Sequence, residues 1–284
     1  MPLSLTHSHA DVFVPDGSEI EPALARTTHL AIGAHADDLE IMAAHGVAEC
    51  FQEAARWFTG VVVTNGSGSP REAAYQGCSD ERMVAVRRLE QRKAAFVGEY
   101  SAMLQLGHAS AAVKDASAPD VVNDLVTVLF ETRPEVVYTH NLADKHDTHV
   151  AVALRVVTAC FALPPDARPA RVIGCEVWRD LDWLCDDDKV VMPVDGHENL
   201  HAALLGVFDS QIAGGKRYDL ATAGRRRAHA SYFEARGADQ HSALIWGMDL
   251  TPLLSGAEPS DLVKGYLARF EDEVMARLQR LLPR

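Results

Sequence analysis

Strand-like and helix-like segments alternate along the first half of the chain, and this alternation constrains the fold more than any other feature. Four short apolar runs predict strands: 29–34, 58–66, 102–107 and 134–140. Four longer segments with apolar residues at helical spacing predict helices: 39–58, 80–97, 120–133 and 148–163. Strands that alternate with helices form βαβ units. We therefore predict an α/β fold with a Rossmann-like, mostly parallel sheet flanked by helices.

The second half is less regular and predicts a smaller, irregular or antiparallel part of the fold. Two strands and one helix are expected there, at 171–185, 189–195 and 197–211. The segment 259–282 predicts an amphipathic helix with Ser260 as its N-cap. The Gly- and Arg-rich segment 209–233 carries too little pattern to assign.

Composition excludes several classes of protein. The chain has 27 Lys and Arg against 40 Asp and Glu, and its net charge of −13 disfavours nucleic acid or an anionic membrane as a partner. The five cysteines include no C-x-x-C pair, so neither a disulfide framework nor a thiolate zinc site is indicated. No apolar run is long enough to span a bilayer, and the first residues lack a signal-peptide pattern. We expect a cytoplasmic protein that acts on a small molecule and that could form homo-oligomers.

A group of residues that can bind metal follows the first predicted strand. The sequence there is GAHADDLE, which places His35, Asp37 and Asp38 at the seam between strand and helix. Two adjacent ionised carboxylates repel each other, so the pair needs a counter-charge. One aspartate alone would be explained as a helix N-cap, but two aspartates and a histidine suggest a metal ion.

A second group follows the fourth strand, in the sequence HNLADKHDTH. Five of its ten residues are histidines or aspartates, the side chains that can bind a metal: His140, Asp144, His146, Asp147 and His149. Because the carboxyl ends of parallel strands meet at one edge of a sheet, we expect the two groups to lie close together. Two imidazoles and one carboxylate suit Zn²⁺ with a coordination position left open, and they also suit Fe²⁺.

The two motifs resemble those of the PIG-L/LmbE family of metal-dependent N-deacetylases, which includes the mycothiol- and bacillithiol-pathway enzymes. The family signatures are A-H-P-D-D-x-E and H-P-D-H. Between them, VVVTNG (61–66) and Arg87-x-x-Glu90 resemble further family features. Ala36 stands where the family has proline, and Asp147-Thr148 replaces its Pro-Asp. The acid between the two histidines is thereby displaced by one position.

The resemblance implies a role for each site residue. It makes His35, Asp38 and His149 the metal ligands, and Asp37 the general base. His146 would stabilise the oxyanion or protonate the leaving amine. Four further residues are expected around this centre: Asp144 and Glu40 as supporting partners of the ligands, and Asn65 and Arg71 as substrate contacts.

The resemblance also implies the domain organisation and the reaction. The chain would be one LmbE-like hydrolase domain (1–284), with a catalytic core at about 25–165 and a substrate rim at about 171–284. Zinc would lower the pKa of a water from about 15.7 to about 7, and the reaction would release acetate from an N-acetylglucosamine-type sugar. Two alternatives stay open: an amidase that cleaves thiol or other amide conjugates at the same metal site, and a non-catalytic metal-binding protein.

Overall fold

The computed structural model describes residues 3–68 and 71–283. Eight strands form one sheet in the order β1-β4-β3-β2-β5-β6-β8-β7. Their bounds are Asp11–Phe13 (β1), His29–Gly33 (β2), Phe58–Thr64 (β3), Ala102–His108 (β4), Val136–His140 (β5), Arg171–Cys175 (β6), Lys189–Pro193 (β7) and Leu244–Asp249 (β8). The strands β2 to β6 pair in parallel, whereas β1, β7 and β8 join antiparallel. The predicted fold class and the antiparallel addition are both confirmed.

Helices cover both faces of this sheet. Their bounds are Ile20–Ala25 (α1), Asp38–Met42 (α2), Ala44–Cys50 (α3), Asp80–Val97 (α4), Ser110–Lys114 (α5), Asp120–Thr132 (α6), Asp147–Ala162 (α7), Glu198–Gly206 (α8), Asp209–Ile212 (α9), Tyr218–Phe233 (α10) and Pro259–Leu281 (α11). Among residues 3–68 and 71–283, no helix is both long enough and apolar enough to cross a membrane.

The apolar core lies in two clusters, one on each face of the sheet. Successive strand residues point to opposite faces, and β2 divides accordingly: Leu30 and Ile32 join one cluster, while Ala31 joins the other. In β3, Val61 and Val63 belong to the first cluster and Val62 to the second. Such two-sided burial produces the continuous apolar runs from which the parallel strands were predicted.

The prediction of one helix over 39–58 is wrong. The helix breaks at Ala43, α3 ends at Cys50, and the chain then turns through Gln52, which has a left-handed φ of 58°. The chain must reverse direction here because β3 begins at Phe58 and runs parallel to β2.

Other predicted boundaries also change. The strand predicted at 171–185 ends at Cys175, and the helix predicted at 197–211 divides into α8 and α9. The N-cap of α11 is Glu258 rather than Ser260, because Pro259 occupies the first helical position. The unassigned segment 209–233 contains α9 and α10.

Candidate metal centre

The candidate centre lies where β2 and β5 end side by side. These strands pair in parallel, so their carboxyl ends meet at the same edge of the sheet. The chain continues from β2 into α2, which begins at Asp38, and from β5 through a loop into α7, which begins at Asp147. The Ala34 N–H donates to His140 Nε2 at 2.9 Å, and this hydrogen bond joins the two strand ends. The fold thus brings together the two sequence groups, as predicted.

Three side-chain atoms form a nearly regular triangle. His35 Nδ1 lies 3.2 Å from His149 Nε2 and 3.3 Å from Asp38 Oδ2, and the last two atoms are 3.5 Å apart. Tetrahedral ligands at about 2.0–2.1 Å from a zinc ion would be about 3.3–3.4 Å apart. Three lone pairs that face each other at this spacing repel unless a cation or protons lie between them. The residues therefore fit a zinc-type ion.

His140 and His146 lie close to this triangle. Ligating atoms of His140 group with those of Asp38 and His149, and those of His146 group with His35 and His149. However, the lone pair of His140 Nε2 already accepts the Ala34 N–H. His140 is fully buried and stacks on the His149 ring, so it is better placed to orient a ligand than to be one.

Asp37 adopts a strained backbone that directs its carboxylate into the site. Its φ is 87°, in the left-handed region that few residues other than glycine adopt. Its N–H donates to Gln91 Oε1 on α4 at 3.3 Å, and its buried Oδ2 has no hydrogen-bond partner among the described residues. Burial and the neighbouring Asp38 charge raise the pKa of Asp37 well above its usual value, while Arg87 opposes the shift.

The pKa values of the two adjacent aspartates shift in opposite directions. Burial would raise the pKa of Asp38, but the nearby imidazoles of His149 and His140 hold it well below its usual value. Its Oδ2 also accepts a hydrogen bond from the backbone N–H of His35 at 2.7 Å. Asp38 is thus held as a carboxylate, whereas Asp37 holds a proton more readily. Opposed pKa shifts of this kind are typical of a ligand next to an acid–base group.

Asp144 connects three parts of the site. Its Oδ1 accepts the His146 N–H at 2.9 Å, and its Oδ2 accepts the Trp178 N–H at 3.1 Å and lies 3.5 Å from His149 Nδ1. Burial would raise the pKa of Asp144, but its interaction with His149 lowers it. A carboxylate behind a ligating imidazole fixes the orientation of the ring. The role of Asp144 as a supporting partner of a metal ligand stays a prediction.

His146 lies at the N-cap of α7, on the open side of the triangle. Its ring is 5.1 Å from the His35 ring, centroid to centroid. Burial and the nearby His149 lower the pKa of His146, which favours the neutral imidazole. A neutral ring retains one N–H that can donate a hydrogen bond to a substrate.

A cavity of about 210 Å³ opens above the triangle. Its wall includes Trp178 and Tyr218, whose rings meet edge to face at 6.0 Å, and the buried Arg87. None of these three was predicted as a site residue. Arg87 could have been found from the R-x-x-E motif, but Trp178 and Tyr218 reach the site only through the tertiary fold.

Three further predicted residues lie outside this cavity lining. Glu40 is a buried residue of α2, and its Oε1 accepts from Tyr100 and Gln91 at 2.9 and 2.8 Å; burial raises its pKa to about 7. Arg71 donates to carbonyl oxygens of its own loop and pairs with Asp80. Asn65 lines a neighbouring cavity. Roles for Arg71 and Asn65 in substrate binding stay predictions.

The fold and the site together define an α/β protein with a candidate mononuclear metal centre. Residues 30–160 match the family model described as PIG-L: GlcNAc-PI de-N-acetylase. This segment runs from β2 into α7 and contains both groups of site residues. The resemblance to the PIG-L family that the motifs indicated is confirmed. No curated protein matches the chain significantly.

Solved structures share the fold at low sequence identity. A conserved protein from Thermus thermophilus is 17% identical with a TM-score of 0.61, over 79% of this chain and 94% of that one. GalB, the 4-carboxy-2-hydroxymuconate hydratase of Pseudomonas putida, is 16% identical with a TM-score of 0.60, over 79% and 96%. N,N'-diacetylchitobiose deacetylase of Pyrococcus horikoshii is 14% identical with a TM-score of 0.58, over 82% and 88%. At such identities the likeness establishes the fold, and the reaction has to be argued from the site.

Proposed function

We propose that this protein is a metal-dependent amide hydrolase that removes an N-acetyl group from an N-acetylglucosamine-type sugar or conjugate. One observation carries the proposal: three ligand atoms within 3.5 Å of one another lie next to a buried carboxylate oxygen that has no partner among the described residues. The substrate class is supported by the family match over residues 30–160.

His35, Asp38 and His149 would hold the ion. Two imidazole nitrogens and one carboxylate oxygen suit zinc, and the same donors suit Fe²⁺. When bound, the ion would supply a Lewis acid and lower the pKa of a water to about 7.

Asp37 is the proposed general base. Its unpartnered Oδ2 is buried, and its raised pKa brings its proton affinity closer to what proton transfer near neutral pH requires. The water oxygen forms a bond to the acetyl carbonyl carbon while its proton passes to Asp37. The carbon–nitrogen bond then breaks as Asp37 returns the proton to the nitrogen. The products are acetic acid and an amine, which exchange one proton to become acetate and an ammonium ion, and Asp37 is regenerated as a carboxylate.

His146 and Arg87 have supporting roles in this scheme. The neutral His146 ring can donate its N–H to the oxyanion that forms on the carbonyl oxygen, a stabilisation typically worth about 3–4 kcal/mol. Arg87 lines the same cavity and lies close enough to Asp37 to affect its pKa. Its buried Nε and Nη2 have no partner among the described residues, so they are free to bind sugar hydroxyls.

Acetate release from a panel of N-acetylglucosamine derivatives tests the proposal. Metal-stripped protein is assayed with and without added zinc, with Asp37→Ala as the matched variant. If zinc restores acetate release in the wild-type protein and Asp37→Ala releases none, the deacetylase is supported. If only thiol conjugates or other amides are hydrolysed, the protein is still a metal-dependent hydrolase but its substrate class is a different one. Full activity after the metal is removed would contradict the proposal.

A further inference from the structure

A second cavity, of about 400 Å³, lies on the other side of α10 from the metal centre. Residues of α10 divide by helical face: Tyr218 faces the metal-centre cavity, whereas Leu220, Ala223 and Arg226 face the second one. Its wall is mostly apolar, with contributions from α8 and from Val194 after β7. Its volume lies in the range of about 300–1,000 Å³ that is usual for small-molecule sites.

The cavity contains a buried guanidinium without a carboxylate partner. Arg226 is only 5% exposed, and its Nη2 donates to the carbonyl oxygens of Glu40 and Ile41 at 2.8 and 3.1 Å. Its Nε has no partner among the described residues. Burial alone lowers the pKa of Arg226 to about 10, still far above neutrality. An uncompensated buried cation is costly, so a bound anion would stabilise it.

His201 adds a second polar group to the same wall. It is 6% exposed, and neither ring nitrogen makes a hydrogen bond of good geometry with the described residues. The acids in the lining already have partners: Glu198 lies 3.7 Å from Arg227, and Asp219 lies 2.8 Å from Arg217. This charge balance leaves Arg226 as the uncompensated charge of the cavity.

We propose that this cavity is a binding site for a monocarboxylate with an apolar tail. The carboxylate would lie beside Arg226 and accept a hydrogen bond from His201, and the tail would contact Val194, Leu205 and Ile212. A ligand with a cationic or neutral head would leave Arg226 uncompensated and is disfavoured. The proposal does not depend on the proposed function, because none of these residues lies in the metal centre.

Isothermal titration calorimetry of the metal-loaded full chain with octanoate tests the site. We expect one saturable site that binds octanoate at least tenfold more tightly than octanol or octylammonium, a difference of about 1.4 kcal/mol. Arg226 also holds the end of α2, so its removal could disturb the fold. The informative variant is therefore Ala202→Trp, which fills the cavity from α8 and should weaken octanoate binding at least tenfold. Ala223→Trp fills it from α10 and should do the same.

Two controls separate this site from the rest of the molecule. Ala276→Trp places the same side chain on an exposed alanine of α11 and should leave octanoate binding unchanged. His149→Ala removes a proposed metal ligand and should also retain octanoate binding. If octanoate instead bound to the metal, this variant would lose it. Circular dichroism checks the fold of each variant. The proposal is overturned if octanoate fails to bind, if octanol binds equally well, or if both cavity-filling variants fold and retain full affinity.

Discussion

The imidazole rings of His140 and His149 lie face to face, with centroids 3.9 Å apart and an interplanar angle of 19°. Only His149 directs a nitrogen at both His35 and Asp38, because His140 Nε2 is occupied by the Ala34 N–H. The stack therefore gives two adjacent histidines different tasks. One would bind the metal, and the other would hold that ring in place.

Metal content should separate these two histidines. We expect His149→Ala to reduce bound zinc by at least tenfold, because one of three ligands is removed. His140→Phe retains a flat ring against His149 and should retain metal, although loss of the acceptor for Ala34 would cost about 1–3 kcal/mol of stability. Elemental analysis after dialysis measures both. Equal loss of zinc in the two variants would make His140 a ligand and contradict this assignment.

Asp37→Asn should reduce kcat by about 10²–10⁴-fold while the metal stays bound. Asparagine has the same shape and tolerates the left-handed backbone at this position, where φ is 87°. The variant therefore removes the proton acceptor with little change in structure. Steady-state acetate release and zinc content are measured on the same preparation. A variant with full zinc and wild-type kcat would exclude Asp37 as the base.

Gly46→Ala should destabilise the fold by about 1–3 kcal/mol. A Cβ on Gly46 in α3 would come within 2.6 Å of the Tyr138 ring, so the helix could not pack this closely on β5. The matched control is Gly224→Ala on α10, where an added Cβ would meet nothing within 4 Å. This variant should stabilise the fold by up to about 1 kcal/mol. Urea unfolding compares the two. If both variants are equally stable, the close contact with Tyr138 is not what requires glycine.

His201 should make the protein less stable in acid. Burial, with a smaller effect of Arg226, lowers the pKa of His201 to about 3. In the unfolded chain the His201 imidazole binds a proton below its usual pKa of about 6.5. In the folded chain it stays neutral down to about pH 3. The free energy of unfolding therefore decreases as the pH is lowered from about 6.5 to about 3, by up to about 1.4 kcal/mol per pH unit. In His201→Phe the decline should be shallower by this amount, as urea unfolding at several pH values would show. Parallel curves for the two proteins would exclude the contribution.

The parallel core of the fold could be predicted because local signals decide it. Strands buried on both faces are continuously apolar, and helix α4 was predicted with its observed bounds, Asp80–Val97. β1 was missed because it has only three residues. The break at Ala43 was missed because apolar spacing continues through α2 and α3, whereas the chain reversal toward β3 is imposed by the sheet.

The site shows the same division between local and tertiary information. His35, Asp37 and Asp38 are adjacent in sequence, so one motif identifies them together. Tyr218 lies at the start of α10, far along the chain, and only packing places it over the candidate metal centre. Arg71 looked available for substrate, but its guanidinium binds its own loop, which a sequence pattern does not reveal.

The short strand β1 covers the outer edge of β4. It pairs antiparallel with β4, and Asp11 fastens it to Arg92 on α4. Six of the seven residues of β4 are buried. Proteolytic loss of residues before Val14 would uncover a long apolar strand edge, the kind of template on which chains aggregate edge to edge. The N-terminal segment therefore protects this edge of the sheet. Proteolytic cleavage before Val14 should be followed by precipitation of the remaining chain rather than by a shorter protein that stays active.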